Sequence, residues 1–226
     1  MTTFMEKEFK CVVCGNISKH ELMTSTTTFG VPDLDTRPAP LTRSALAELI
    51  QKCPSCTYCV PVISEMVGNA EEVIKSNAYQ KQLNDPDFPA LANLFIGSKI
   101  IFEKAAYYAN AGWEMIHAAW ACDDDKLDQK AKECRMQAVE LFYKARENGQ
   151  IYAEGIGAEE ALLADLLRRT GQFELGFKIC EEGLKKKPEK IIAAVLRKEK
   201  WLIGKKDTDC HPISEGQSGS TIWIKG

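Results

Sequence analysis

The chain has 226 residues, of which 45% are apolar, and a net charge of −3. This length and composition predict a globular protein of one or two domains, and the near-neutral charge gives no general reason to expect nucleic acid or an acidic membrane as partner. No uninterrupted apolar stretch approaches the roughly 20 residues of a membrane helix, and residues 1–10 lack the apolar core of a signal peptide, so we expect a cytoplasmic protein.

Two CxxC pairs are the most informative feature of the first quarter of the chain. They consist of Cys11, Cys14, Cys53 and Cys56. Nine cysteines, an odd number, argue against a disulfide framework. Two residues between thiols let a tight turn direct both sulfurs at one ion, and two such turns supply the four thiolates of a structural zinc. We therefore predict Zn²⁺ bound by these four cysteines. A closed site of this kind is structural, and no catalytic constellation is evident, so we expect no enzyme.

Several residues leave alternatives open at the metal site. Cys59 extends the second pair to CxxCxxC, a spacing seen in some iron–sulfur ligation, and it permits a redox pair. His20 and the pair Cys210-His211 are further candidate ligands, although a surface position and a loose tail are the favoured interpretations. Thr57 follows the second pair where Gly15 follows the first, which makes the second turn less typical.

Residues 1–61 are predicted to form a small zinc-ribbon-like β module. β-Branched residues favour a strand over residues 22–29, and glycine and prolines then indicate a loop through residue 40. Residues 44–52 fit either a helix or an alternating strand, and we favour the strand because a strand usually leads into each zinc turn. The loop contains Asp33-Leu34-Asp35-Thr36-Arg37-Pro38, whose charges favour an ion pair that fixes the loop over a surface that reads a partner's charge.

Helical periodicity dominates residues 62–206. It predicts helices over residues 65–83, 89–121, 127–148, 158–170, 173–186 and 189–203. Residues 207–226 form a Gly/Ser-rich tail, in which residues 221–224 alternate and could add a strand to a sheet edge. The predicted fold is mainly α, with the small β module followed by an antiparallel array of helical hairpins.

Residues 158–187 resemble a tetratricopeptide repeat. Gly171 fits the turn between its helices, Pro188 closes the second helix, and Gly176 and Gly183 stand where alanine is usual. Residues 113–145 resemble a second, more degenerate repeat. The resemblance implies a short array with a groove for a partner.

Three features of the helical region each have a structural and a functional interpretation. His117 is expected to be packed between Trp113 and Trp120, with a general base as the alternative. Asp123-Asp124-Asp125 is expected to be a solvated turn whose aspartate caps the next helix, with a cation site as the alternative. Residues 178–206 hold ten basic and four acidic side chains, which favour a solvated outer face over contact with RNA.

The motifs together resemble a known prokaryotic family. CxxCG at residues 11–15, the sequence from Asp33 to Pro38, Arg43, and CPxC-x-Tyr at residues 53–58 are similar to domain of unknown function 2225. The resemblance implies a zinc-ribbon-like head, a tetratricopeptide-like body and no established activity.

Our leading hypothesis is a cytoplasmic, non-enzymatic scaffold that binds a protein or peptide partner. The alternatives are a redox or metal-responsive sensor that uses Cys53, Cys56 and Cys59, and a nucleic-acid-associated ribbon protein that uses the lysines of residues 178–206. Nucleic acid is the less favoured partner because four thiolates on Zn²⁺ make the module net negative.

Overall fold

The computed structural model describes residues 3–27 and 29–213, apart from the side chain of Leu41. Its strands are β1 (Thr3–Lys10), β2 (Ile17–Ser25), β3 (Gln51–Lys52) and β4 (Cys59–Val60). Its α-helices are α1 (Pro40–Arg43), α2 (Ala70–Lys75), α3 (Asn77–Leu83), α4 (Ala90–Lys104), α5 (Tyr108–Asp124), α6 (Asp128–Glu147), α7 (Ala158–Arg169), α8 (Phe173–Lys185) and α9 (Lys190–Gly204). The protein is mainly helical, with its strands near the N-terminus, as the sequence predicts. The proposed strand at residues 221–224 lies outside the described residues.

The strands form two antiparallel hairpins. β1 pairs with β2 through residues such as Glu6 and Glu21, and β3 pairs with β4 through Lys52 and Cys59. The first strand prediction is displaced, because β2 ends at Ser25 within the predicted segment 22–29. The predicted strand over residues 44–52 is mostly wrong.

Residues Leu46–Leu49 form a short 3₁₀ helix instead, and only Gln51–Lys52 is a strand. Ala45 and Leu46 are adjacent in the chain and both buried. A strand would have directed these two side chains to opposite faces of a sheet. Burial of both neighbours therefore favours the helical turn over the strand.

The four C-terminal helices α6, α7, α8 and α9 lie where apolar periodicity predicts them. The two predicted helices that precede them are each broken in two. Ser76 ends α2 in an extended conformation and accepts the Tyr79 N–H at the start of α3 (3.3 Å). The predicted helix over residues 89–121 is a pair, α4 and α5, joined at residues 105–107.

One turn geometry ends most of the long helices. At five helix ends, the turn contains a residue with positive φ, namely Ala106, Lys126, Gly149, Gly171 or Lys206. In each case the following residue donates its N–H to the carbonyl five positions earlier, at 2.8–3.1 Å. This is the Schellman arrangement, which usually contains glycine. The break between α4 and α5 has no glycine, so the sequence did not reveal it.

In this turn Ala106 adopts the left-handed backbone conformation, with φ 59°, which is unfavourable for alanine. We expect Ala106→Gly to raise the free energy of unfolding by about 1 kcal/mol, because glycine adopts positive φ without steric cost. Ala78→Gly, at an exposed position within α3, should lower it by about as much. Urea denaturation measures both, and a loss of stability in Ala106→Gly would contradict the assignment.

Gly183 shows why glycine replaces alanine in α8. A Cβ atom there would lie 2.8 Å from Glu160 Cβ and 2.8 Å from Leu196 Cδ1. A Cβ at Gly176 would lie 3.0 Å from Ile203 Cδ1. The two glycines therefore allow α8 to approach α7 and α9 closely, which offsets their weaker helix propensity.

The helices pack side by side in chain order, α4 on α5, α5 on α6, α7 on α8 and α8 on α9. One continuous apolar core extends from Cys11 and Tyr58 through the helices to Ile203. The division into residues 1–61, 62–206 and 207–226 stays a prediction. Among the described helices, none is both long and apolar enough to cross a membrane.

Candidate metal centre

Each CxxC pair occupies the turn of a hairpin. Cys11 N donates to Asn16 O (2.8 Å) and Gly15 N donates to Cys11 O (2.8 Å). The second turn repeats both bonds, from Cys53 N to Tyr58 O (2.8 Å) and from Thr57 N to Cys53 O (3.0 Å). The two turns therefore have matching main-chain geometry.

Thr57 adopts the conformation that Gly15 adopts in the first turn. The φ angles are 64° and 76°, respectively. Thr57 Oγ1 donates to Cys56 O (2.6 Å) and accepts from Gln80 Nε2 (3.0 Å). These bonds stabilise a conformation that is costly for a β-branched residue, so the absent glycine does not alter the second turn.

The four predicted cysteines come together, with their sulfur atoms all within 4.8 Å of one another. Cys11 Sγ lies 3.6 Å from Cys56 Sγ, and Cys14 Sγ lies 3.5 Å from Cys53 Sγ. A disulfide would need about 2.05 Å. Tetrahedral zinc with Zn–S bonds of about 2.3 Å places its sulfurs about 3.8 Å apart. The cluster could thus hold a metal ion such as zinc.

The thiols have unequal environments. Cys11 and Cys53 are buried, whereas Cys14 is exposed. A hydrogen bond from the Asn16 main chain lowers the pKa of Cys14 to about 7. Burial raises the pKa of Cys56 and of Cys11. One thiol at the surface and two in the interior place the cluster at the boundary between solvent and the core.

Hydrogen bonds fasten the first turn and β3 to the chain that leads into the helices. Val12 N donates to Ile63 O (2.9 Å), and Ile63 N donates to Gln51 Oε1 (3.0 Å). The second turn is fastened by two buried tyrosines. Tyr58 Oη donates to Glu65 O (2.7 Å), and Tyr79 Oη of α3 donates to Thr57 O (2.7 Å). The cysteine cluster is therefore attached directly to the helical body.

The additional candidate ligands lie elsewhere. Cys59 Sγ is fully buried, 3.1 Å from Tyr79 Oη and 3.3 Å from Leu94 O. His20 Nε2 bonds to Ser18 Oγ (2.9 Å), and His211 Nε2 bonds to Asp207 Oδ1 (3.0 Å). Within the described residues, the metal-ligating group contains only the four cysteines of the two pairs. Because Cys59 is buried, it is not an accessible thiol for a redox or metal-responsive sensor. The sensor hypothesis otherwise stays a prediction.

The acidic loop, defined as residues 31–38, is held by ion pairs as the sequence favours. Arg37 Nη2 contacts both carboxylate oxygens of Asp124 at 2.6 Å, and Arg43 Nη2 contacts Asp33 Oδ2 at 2.7 Å. Asp124 lies at the end of α5, so the Arg37 pair joins the loop to the helical body. The predicted aspartate cap of the next helix is wrong, because Leu127 occupies that position without a side-chain hydrogen bond.

Asp35 is the centre of a buried network that the sequence did not reveal. It is 1% exposed and accepts from Trp120 Nε1 (2.9 Å) and Arg169 Nη1 (2.9 Å). Arg135 Nη2 lies 3.9 Å away. Burial alone would raise the pKa of Asp35, but Arg169 and Arg135 lower it overall. Asp35 is therefore a buried carboxylate with two cationic neighbours.

His117 is a core residue, as favoured. Its ring centroid lies 5.2 Å from that of Phe95, 6.1 Å from that of Trp113 and 5.1 Å from that of Trp120. Burial lowers the pKa of His117 to about 4, so its ring is neutral at neutral pH. Because aromatic rings enclose His117, a substrate could not reach its ring, which argues against a role as general base.

Glu114, also on α5, is buried, and among the described residues its Oε2 has no hydrogen-bond partner. Burial raises its pKa to about 8 from 4.5. The unfolded chain ionises this carboxyl near pH 4.5, whereas the folded chain retains the proton until about pH 8. The contribution of the Glu114 carboxyl to the free energy of unfolding is thus fully present below pH 4.5. It is lost as the pH rises towards 8.

We expect Glu114→Gln to raise the free energy of unfolding by about 3 kcal/mol at pH 7, with little gain near pH 4.5. The neutral amide retains the shape of the protonated acid without its tendency to ionise. Urea denaturation at the two pH values measures the gain, with Glu140→Gln at an exposed position of α6 as the matched control. An equal gain at both pH values would contradict a buried, protonated Glu114.

The lysines of residues 178–206 are partly engaged within the chain. Lys186 Nζ contacts Glu160 Oε1 at 3.0 Å, and Lys200 Nζ contacts Glu181 Oε1 at 3.1 Å. Lys198 Nζ donates to Pro212 O at 2.5 Å. These contacts favour the outer-face interpretation, and the nucleic-acid hypothesis stays a prediction.

A cleft, here called the Trp113 cleft, lies between α5 and the segment that joins α6 to α7. Its volume is about 250 Å³. Trp113, Ala153 and Glu154 also line a second, narrower and apolar pocket that Leu34 and Thr36 of the acidic loop border. Ile151, 76% exposed, stands at the rim of the cleft. The cleft thus combines an aromatic wall with an exposed apolar edge.

No protein-family model matches this chain, and no curated protein or solved structure matches it either. The resemblance to domain of unknown function 2225 therefore stays a prediction from the motifs around Cys11, Asp33 and Cys53.

Proposed function

We propose that this chain is a non-enzymatic, cytoplasmic interaction protein that is held in shape by one structural Zn²⁺. The observation that carries the proposal is the cluster of four sulfur atoms within 4.8 Å, built by two hairpin turns of matching geometry. Cys11, Cys14, Cys53 and Cys56 would hold the ion. Four protein ligands fill a tetrahedral site, which leaves no position for water or substrate. All nine cysteines are free, which favours a reducing compartment.

The zinc would link three parts of the chain. It joins the first hairpin to the second, and the second is bonded to α3 through Tyr79. Between the two pairs runs the acidic loop, which contacts α5 and α7 through Trp120 and Arg169. The ion would therefore close a long segment in which only a few of the described apolar residues are buried.

The helical body would supply the partner surface as a short array of the tetratricopeptide type. Helices α5 to α9 pack as consecutive neighbours, and the Trp113 cleft offers an aromatic wall for a protein or peptide. Such arrays bind through exposed side chains of a groove. The motif resemblance to domain of unknown function 2225 is consistent with this assignment, because its zinc-ribbon-like head and tetratricopeptide-like body imply the same parts.

Cobalt substitution tests the geometry of the metal site. We expect the metal-free chain to bind one Co²⁺ with the intense visible bands of a tetrahedral thiolate complex, and zinc to abolish them. Weak bands typical of octahedral cobalt would contradict the proposed site.

A photo-crosslinking residue tests the partner surface. Placed at Ile151, at the rim of the Trp113 cleft, it should capture a specific partner, whereas the same residue at Met136 on α6 should not. Capture from Met136 alone would place the partner surface elsewhere.

A further inference from the structure

The described part of the chain ends against the acidic loop. Ile213 is 2% exposed, and its N–H donates to Pro32 O (2.8 Å). Leu34 N donates to His211 O (2.9 Å), so this part of the chain pairs with the loop through the main chain. Residues 214–226 lie outside the described residues. The structure therefore fixes the place from which these residues, here called the tail segment, continue.

The Trp113 cleft lies within reach of the tail segment. Pro32 and Leu34 are two positions apart in the chain, so their Cα atoms are separated by at most about 7 Å. Leu34 and Trp113 both line the narrower apolar pocket, and Trp113 also lines the cleft. Residues 214–221 can span up to about 27 Å. The residues that follow them can therefore enter the cleft.

Three consecutive residues of the tail segment are suited to such a cleft. Ile222, Trp223 and Ile224 are its only apolar residues, and the others are Ser, Thr, Gln, Glu, Lys or Gly. Transfer of apolar side chains from water to an apolar surface is favourable, and an aromatic side chain covers roughly 150–250 Å². The tail segment thus carries one compact apolar group that gains from burial.

The apolar lining of the Trp113 cleft is open to solvent in the described part of the chain. Ile151 is 76% exposed at its rim, and the small side chains of Ala109 and Ala153 line it. Trp113 Nε1 donates to Tyr152 O (2.8 Å), so this tryptophan has no polar hydrogen left to donate. Because one water molecule takes up about 30 Å³ in the liquid, a volume of about 250 Å³ accommodates one large side chain. The cleft can therefore hold an aromatic residue.

We propose that the tail segment binds in the Trp113 cleft of its own chain, with Trp223 against the ring of Trp113 and the adjoining isoleucines over Ile151. The inference rests on the proposed interaction function, because a partner and the tail segment would use the same cleft. Attachment to the same chain gives the segment an effective concentration of the order of 1 mM, so a weak contact suffices to occupy the cleft. A partner must displace Trp223 to bind.

A photo-crosslinking residue tests this position in the full-length chain. Benzoylphenylalanine in place of Trp223 keeps an aromatic side chain and, on irradiation, should join residues 109–113 or 151–154 of the same chain. The yield should not change on dilution, because the reaction is intramolecular. The same residue in place of Gln217, in the polar part of the tail segment, should give little of this product.

Competition by a synthetic peptide tests whether the cleft is occupied. The probe is a fluorescent peptide with the sequence of residues 218–226, and the matched probe has serine at the position of Trp223. We expect Trp223→Ser to bind the first probe at least about tenfold more tightly than the wild type does, because its own segment no longer competes. The matched probe should bind Trp223→Ser at least about tenfold more weakly than the first. Adding Ile151→Ser should weaken binding, whereas adding Ile156→Ser, exposed but outside the lining of the cleft, should not.

Three results would overturn the inference. They are a crosslink to another surface, a crosslink between two chains that disappears on dilution, and equal affinity of the wild type and Trp223→Ser for the first probe. If Trp223→Ser does not fold, the crosslink alone decides. Zinc content, circular dichroism and partner capture from Ile151 report on the proposed function separately. A zinc-loaded chain that captures a partner but gives no intramolecular product contradicts this inference alone.

Discussion

Cys53→Ser is expected to abolish stoichiometric zinc binding and to unfold the two hairpins while the helices persist. Loss of one of four thiolates should reduce zinc affinity by more than about 100-fold, since even substitutions of outer partners reduce metal affinity by about 10- to 100-fold. Without the ion, the second hairpin is left with the strands β3 and β4, of two residues each, and the first hairpin is a separate sheet of two strands, β1 and β2. Two-stranded hairpins of this kind are marginal in water.

Hydrogen exchange measures this effect residue by residue. The amides of Val12 and Ile63, whose bonds join the first turn and β3 to the chain that leads into the helices, should lose protection in Cys53→Ser. The amide of residue 53, which is bonded across the second turn to Tyr58 O, should lose protection as well. Amides of α7 and α8 should retain it. Cys210→Ser is the matched control, because Cys210 is exposed and lies outside the cluster. Full protection of Val12 and Ile63 in a zinc-free Cys53→Ser protein would show that the metal is not needed to hold these turns.

Arg168→Leu is expected to lower the free energy of unfolding by about 3–5 kcal/mol. Arg168 is fully buried, and its guanidinium donates to Glu199 Oε2 and Asp165 Oδ1 at 2.7 Å each. It also donates to the carbonyls of Asp207 and Asp209 (3.1 and 2.8 Å). Its removal leaves two buried carboxylates without their cation and frees the segment that pairs with the acidic loop.

Urea denaturation of Arg168→Leu measures the loss, and Arg197→Leu on the exposed side of α9 is the matched control, with a change within about 0.5 kcal/mol. Adding Asp165→Asn and Glu199→Gln to Arg168→Leu should recover part of the loss, because neutral amides cost less to bury than unpaired carboxylates. No recovery in the triple variant would show that lost packing, and not unpaired charge, accounts for the effect.

The features that could be predicted from the sequence are those that depend on the spacing of nearby residues. The interval between thiols in each CxxC pair identifies the four clustered cysteines, and the 3.6-residue period identifies α6 to α9. Helix ends are predicted where glycine follows, as at Gly149 and Gly171. The break at Ala106 is hidden because alanine normally favours a helix interior, and only the packing of α4 against α5 overrides this preference.

The buried ion network could not be predicted because its partners are far apart in the chain. Asp35 meets Trp120 across 85 positions and Arg169 across 134. No period or motif relates such residues, and arginines on helices are usually solvated. The one local signal is the pair of aspartates in a loop between two metal-binding turns, which indicated an ion pair without identifying the arginines.

The elemental metal content of the wild-type chain, purified without oxygen and without chelator, decides whether the four cysteines hold a structural zinc. We predict one zinc ion per chain in the wild type and in Cys210→Ser, and its loss in Cys53→Ser. Iron in place of zinc, or a metal-free wild type whose four clustered thiols all react freely, would contradict a structural zinc site.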